Sequence, residues 1–114
     1  MSNLSEKKCK PCEGGIPPLT GQELTPWLKQ IDQAWKLTEG ETKIRREFTF
    51  KDFVQTMAFA NKVAEVAEKE GHHPDLHISY GKLTIELWTH KISGLFDNDF
   101  ILAAKIDELY SASS

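Results

Sequence analysis

One stretch in the second half of the chain limits the possible folds more than any other. From Asp75 to Trp88, apolar Leu76, Ile78 and Tyr80, then Leu83, Ile85 and Leu87, recur at every second position, mostly with polar residues between them. A period of two suits an extended strand with one buried face and does not suit a helix. Gly81-Lys82 separates the two runs and places glycine at the first central position of a type II′ hairpin turn. With these residues at the tip, Tyr80 faces Leu83, Ile78 faces Ile85 and Leu76 faces Leu87. All six apolar side chains then share one face, which a slip of one residue would destroy.

The surrounding sequence supplies the remaining elements. Leu19-Thr20-Gly21-Gln22-Glu23-Leu24 reads as a helix start, with Thr20 as N-cap, Glu23 closing a capping box and Leu19 against Leu24 as a staple. Pro26 has no N–H to donate, so it must kink or restart that helix. Trp35 and Leu37, then Ile44, Arg46, Phe48 and Phe50, alternate as two strands around Glu39-Gly40-Glu41. After Asp52 the period becomes helical. Phe53, Met57, Ala60, Ala64 and Ala67 form a stripe that Phe59, Val63 and Val66 widen, and Gly71 is the stop signal. Asp97 is placed to cap a last helix, with Asp99 in its first turn and Leu102, Ile106 and Leu109 toward the core. The order α-β-β-α-β-β-α predicts an α+β fold: a four-stranded antiparallel sheet with helices packed on one face.

Chemistry concentrates in the histidines. His72 and His73 adjoin in Gly71-His72-His73-Pro74, and His90 follows in Trp88-Thr89-His90-Lys91. Continuing the hairpin ladder outward sets His90 opposite residue 73, although Pro74 ends regular pairing there. The three imidazoles therefore converge at the open end of the hairpin. Imidazole titrates near neutrality, so such a cluster can hold an acid and a base together at pH 7. The fourth histidine, His77, points to the polar face of the hairpin and reads as solvated or interfacial. Glu68, four residues before His72, reads as a surface carboxylate that could pair with an imidazolium.

Composition narrows the function classes. At 114 residues the chain is one domain, and 39% hydrophobic residues suffice for a core. A net charge of −3 with no basic run offers nothing to attract nucleic acid or an anionic membrane. No apolar stretch is long enough to span a bilayer, and no signal peptide is visible, so a cytoplasmic location is expected. Cys9 and Cys12 form a lone Cys-x-x-Cys without two further ligands for structural zinc and without a preceding strand. Residues 1–18 are expected to be a flexible tail, and 19–114 the folded domain.

The series Glu68, His72-His73-Pro74, Tyr80, His90 and Asp99, at these spacings, resembles the signature of the pterin-4a-carbinolamine dehydratases. The resemblance runs from about Leu19 to the end and includes Trp35, Phe48-Thr49-Phe50-Lys51-Asp52-Phe53 and Gly94-Leu95. It implies dehydration of 4a-hydroxytetrahydropterin to the quinonoid dihydropterin, recycling the cofactor of aromatic amino acid hydroxylases. It also implies that His72 and His90 form an acid–base pair, with His73 binding and polarising the pterin. Glu68 would support one imidazolium, and Asp99 would orient another ring or bond the pterin edge. Backbone groups of residues 71–74 and 88–91 (Gly71, His72, His73, Pro74; Trp88, Thr89, His90, Lys91) are the expected edge contacts. Neither metal nor cofactor is needed, and a homodimer or homotetramer is expected. Two rivals use the same residues. A zinc hydratase could employ three histidines, but adjacent histidines in an irregular segment do not easily aim both rings at one ion. A protein-binding role, like the dimerisation-cofactor activity of animal members or toward a hydroxylase, would need no catalysis.

Overall fold

The two hairpins join into a single sheet. In the computed structural model, which describes residues 4–9 and 15–113, strands β1 (Lys36–Thr38), β2 (Lys43–Thr49), β3 (Asp75–Ser79) and β4 (Lys82–Leu87) are antiparallel in the order β1-β2-β4-β3. Helices α1 (Thr25–Leu28), α2 (Phe53–Glu70) and α3 (Asp97–Ser113) complete the expected α+β fold. The sheet face carrying Ile44, Phe48, Leu83, Ile85 and Leu87 is fully buried with Leu24, Phe59, Val63, Phe100, Leu102 and Ile106. The other face carries Arg45, Glu47, His77, Thr84 and Glu86.

The β3–β4 register differs from expectation by two residues. Ser79 pairs with Lys82, Ile78 with Leu83 and Leu76 with Ile85, so the turn is Tyr80-Gly81. Tyr80 enters the turn and is 70% exposed instead of facing Leu83. Because the shift is even, the strands' apolar residues still share one face, although Ile78 on β3 is 41% exposed. Gly81 does not adopt the positive φ of the expected turn. Its value is the absence of a side chain: Phe50 N–H donates to Gly81 O at 2.8 Å, and a Cβ on Gly81 would lie 2.8 Å from Phe50 O.

Elsewhere the helix signals differ in detail. Glu23 accepts from the Thr20 N–H at 3.1 Å, but the segment begins as a 3₁₀ turn, Gly21–Leu24, and Pro26 restarts it as the short α1. Asp52 caps α2 by accepting from Gln55 N–H at 2.9 Å. The buried stripe of α2 is Thr56, Phe59, Ala60, Val63 and Ala67; Phe53 is 48% exposed and Ala64 is exposed as well. The stripe is rotated because Thr56 faces inward. Its hydroxyl lies 2.9 Å from Asp52 O and 3.0 Å from Tyr80 O, joining α2 to the hairpin turn. Asp97 is the first residue of α3 and not its cap. The Asp99 carboxylate accepts from Phe96 N–H at 3.0 Å instead.

The amino-terminal segment, expected to be a flexible tail, is packed over Leu4–Cys9. Leu4 is 1% exposed in the core, Lys105 Nζ donates to Ser5 O at 2.7 Å, and Glu70 accepts from Cys9 N–H at 2.8 Å. One buried leucine ahead of a polar run gave too little pattern to show this. Cys12 lies outside the described residues. Across the molecule, Asp107 of α3 accepts from Trp35 Nε1 at 2.8 Å and Asp32 N–H at 3.0 Å, and pairs with Arg46 of β2 at 2.5 Å.

Candidate active site

His72 and His73 take opposite directions from the end of α2. Gly71 ends the helix at φ 68°, ψ 25°, in the left-handed region that glycine enters without a Cβ penalty. Gly71 N–H then donates to Glu68 O at 3.3 Å and His72 N–H to Ala67 O at 3.2 Å, a Schellman closure. This reversal turns His72 inward, to 5% exposure, and leaves His73 exposed.

His90 arrives from the other strand. Beyond β4, Thr89 and Gly94 form a bridge, with Thr89 N–H donating to Gly94 O at 2.8 Å, and this bridge closes a 3₁₀ turn over His90–Ile92. A Cβ on Gly94 would lie 2.5 Å from the Pro18 side chain, so glycine permits the loop to sit against the chain entering the domain. The hairpin ladder ends at the Asp75–Glu86 pair, so His90 is not paired across the hairpin. The two segments nevertheless meet: Gly71, His72, His73, Trp88, His90 and Lys91 line one cavity of about 190 Å³.

Asp99 ties these segments to α3. It is fully buried, and His72 Nε2 lies 2.7 Å from Oδ1 while Thr89 Oγ1 donates to Oδ2 at 2.7 Å. With the Phe96 N–H on Oδ2 as well, the carboxylate acts as an acceptor. Nε2 of His72 is then the donor in this contact. Glu68 pairs with His73 rather than His72, Nε2 to Oε2 at 2.9 Å, with both side chains largely in solvent. Such a pair is screened and contributes about 0–1 kcal/mol.

Trp88 brings two residues to the site that spacing did not point to. Its indole stacks on the His90 ring at 4.0 Å between centroids and 22° between planes. Its Nε1 donates to Asp75 Oδ2 at 3.1 Å, and Lys43 Nζ sits 4.8 Å from its ring centroid. Sheet order carries the signal for Lys43, since Trp88 follows the Ile44–Leu87 pair and Lys43 is the next residue of β2; the hairpin itself brings Asp75, whose pair is Glu86. His77 is apart from the cavity, exposed, 3.5 Å from Glu86 Oε1. Pro74 and Tyr80 do not line it. Among the described residues, no three His, Cys, Asp or Glu side chains are grouped as metal ligands, and no helix is long and apolar enough to cross a membrane.

The fold and site define an α+β domain with a histidine-lined cavity where a helix end meets a hairpin mouth. A family model described as "Pterin 4 alpha carbinolamine dehydratase" matches residues 17–109. A Nitrosomonas europaea protein named "Putative pterin-4-alpha-carbinolamine dehydratase" is 49% identical over 98% of this chain and 97% of its own length. A Rickettsia canadensis protein of the same name is 50% identical over 94% and 97%. The crystal structure of a "transcriptional coactivator/pterin dehydratase" from Brucella melitensis superposes with a TM-score of 0.75 at 33% identity, covering 81% of this chain and 97% of that one. This chain belongs to the pterin-4α-carbinolamine dehydratase family. The fold is shared more widely: a pterin dehydratase-like protein described as a RuBisCO assembly factor in the alpha-carboxysome gives a TM-score of 0.59 at 23% identity, over 68% of this chain and 89% of that one.

Proposed function

We propose that the protein dehydrates 4a-hydroxytetrahydropterin to quinonoid dihydropterin and water, with His72 and His90 as the acid–base pair. Hydroxide is a poor leaving group, so the departing C4a oxygen must receive a proton as its bond breaks. The electron pair that expels it comes from a pterin nitrogen, whose proton a base must remove. Two imidazoles of opposite protonation supply both transfers, each worth typically ~10²–10⁴-fold. The pair divides acid and base according to which face of the pterin carries the hydroxyl. His73 binds and polarises the ring, Glu68 pairs with His73, and Asp99 orients His72. Backbone groups of residues 71–74 and 88–91 hold the heterocycle's edge.

The observation carrying this reading is the single cavity that His72, His73 and His90 share. In the cell, the reaction would return the cofactor of an aromatic amino acid hydroxylase to use, in the cytoplasm. Exposed Ile78 on edge strand β3 and Tyr80 in the turn after it, with Phe53 and Val54 at the start of α2, support assembly into a dimer or tetramer. The test follows dehydration of freshly generated carbinolamine by His72→Ala, His73→Ala and His90→Ala. Losses of about 10²-fold or more are expected for His72 and His90; near-normal rates in all three would refute the assignment. A second reading, binding to another protein, draws on the coactivator description of the Brucella melitensis relative. It predicts that partner capture survives the histidine substitutions.

A further inference from the structure

We propose that Trp88, braced by Asp75 and Lys43, is a positioning residue that holds the His90 ring in the attitude the reaction needs. The inference rests on the acid–base role assigned to His90 above. His90 lies in a short 3₁₀ turn on the surface, and its side chain is exposed, so nothing in the turn itself fixes the ring. The structure provides one flat support for it, the indole at 4.0 Å and 22°. That spacing leaves no room for a heterocycle between the two rings. A ligand can therefore meet His90 only at its edge or its opposite face, and one face is removed from the reaction.

The indole is itself fixed from two neighbouring strands. Asp75 of β3 accepts from Nε1 at 3.1 Å, which prevents the ring from flipping. Lys43 of β2 places its ammonium 4.8 Å from the ring centroid, within cation–π range. Lys43, Trp88 and Asp75 all lie toward the sheet's polar face, because Ile44 and Leu87 beside them point into the core. The half-buried indole is thus held from both sides. Here the two buttresses meet on the ring that touches an imidazole in the cavity.

The test combines kinetics with a measurement that does not depend on turnover. Protons of an imidazole stacked on an indole are shifted upfield by its ring current, so the His90 ring resonances report the stack directly. In Trp88→Leu those resonances should move downfield and kcat should fall roughly ten-fold, inside the ~10² that a displacement of about 1 Å can cost. KM should change little, because the binding edge is backbone. Trp88→Phe, which restores an aromatic platform, should recover most of both signals. Asp75→Asn and Lys43→Met should give smaller shifts in the same direction. His90 resonances that stay in place in Trp88→Leu would overturn the proposal, as would resonances that move while kcat is unchanged. A wild-type protein that does not dehydrate the carbinolamine would refute the function proposed above, and the His90 shifts would still decide the brace.

Discussion

Asp99 shows how much one residue can hold. Its two oxygens accept from His72, Thr89 and Phe96, so the end of α2, the strand-to-turn segment and the start of α3 share one buried carboxylate. Asp99→Asn gives up one acceptor oxygen and the negative charge. We expect a loss of about 1–3 kcal/mol of stability, as for other hydrogen bonds to charged groups. Dehydration should slow about ten- to hundred-fold as His72 loses its orienting partner. Urea denaturation and single-turnover kinetics measure the two effects separately. The sequence places Asp99 in a helix's first turn, but burial and partners depend on where the helix docks, which spacing cannot give. Cys9 makes a second prediction at this scale. Burial, reinforced by the neighbouring Glu70 carboxylate, pushes its thiol from 9.0 up to about 12. The folded thiol keeps its proton where the unfolded one has lost it, so this group's contribution is complete below pH 9 and is lost as pH rises from about 9 toward 12. In a Cys12→Ser chain at pH 8, Cys9 should resist iodoacetamide until urea is added, and mass spectrometry reads the difference.

At the scale of the element, the hairpin carries the most consequence. Gly81 sits where Phe50 passes at the end of β2, and the atom an added methyl would strike is backbone oxygen that cannot swing aside. Gly81→Ala should cost about 1–3 kcal/mol, as forced overpacking does. The urea midpoint should fall while the site, at the other end of the hairpin, keeps its rate. The alternation of Leu76 to Leu87 made both strands and their buried face legible in the sequence. It could not choose between registers two residues apart, because both put the alternating strand residues on the same face. In the observed register the turn's Gly81 O and Tyr80 O accept from Phe50 and Thr56, tertiary partners that local pattern does not contain. The rotated stripe of α2 has a similar cause: Thr56 is polar by type, yet it faces inward to bond the turn. The change of period after Asp52 and the stop at Gly71 depend only on local sequence, and α2 runs between them, from Phe53 to Glu70.

For the whole molecule, convergence of the histidines was legible because the hairpin and the α2 stop fix where Gly71 and Trp88 must lie. Lys43 was not legible as a site residue, since its place follows from the β1-β2-β4-β3 order, whereas Asp75 belongs to the same hairpin as Trp88. The same order leaves β3 at an edge, with Ile78 41% and Tyr80 70% exposed, beside Phe53 and the 77% exposed Val54. These apolar surfaces support self-association. Light scattering should give a mass of two or four chains, and Val54→Glu with Tyr80→Glu should lower it without unfolding the protein. A monomeric wild type would contradict the assembly. The central claim is that the three imidazoles surround one site for a flat bicyclic ring, and a crystal structure with dihydropterin bound tests it most directly. The account predicts the ring within hydrogen-bond reach of His72, His73 and the free face or edge of His90; a ring bound elsewhere, with that cavity holding only solvent, would contradict it.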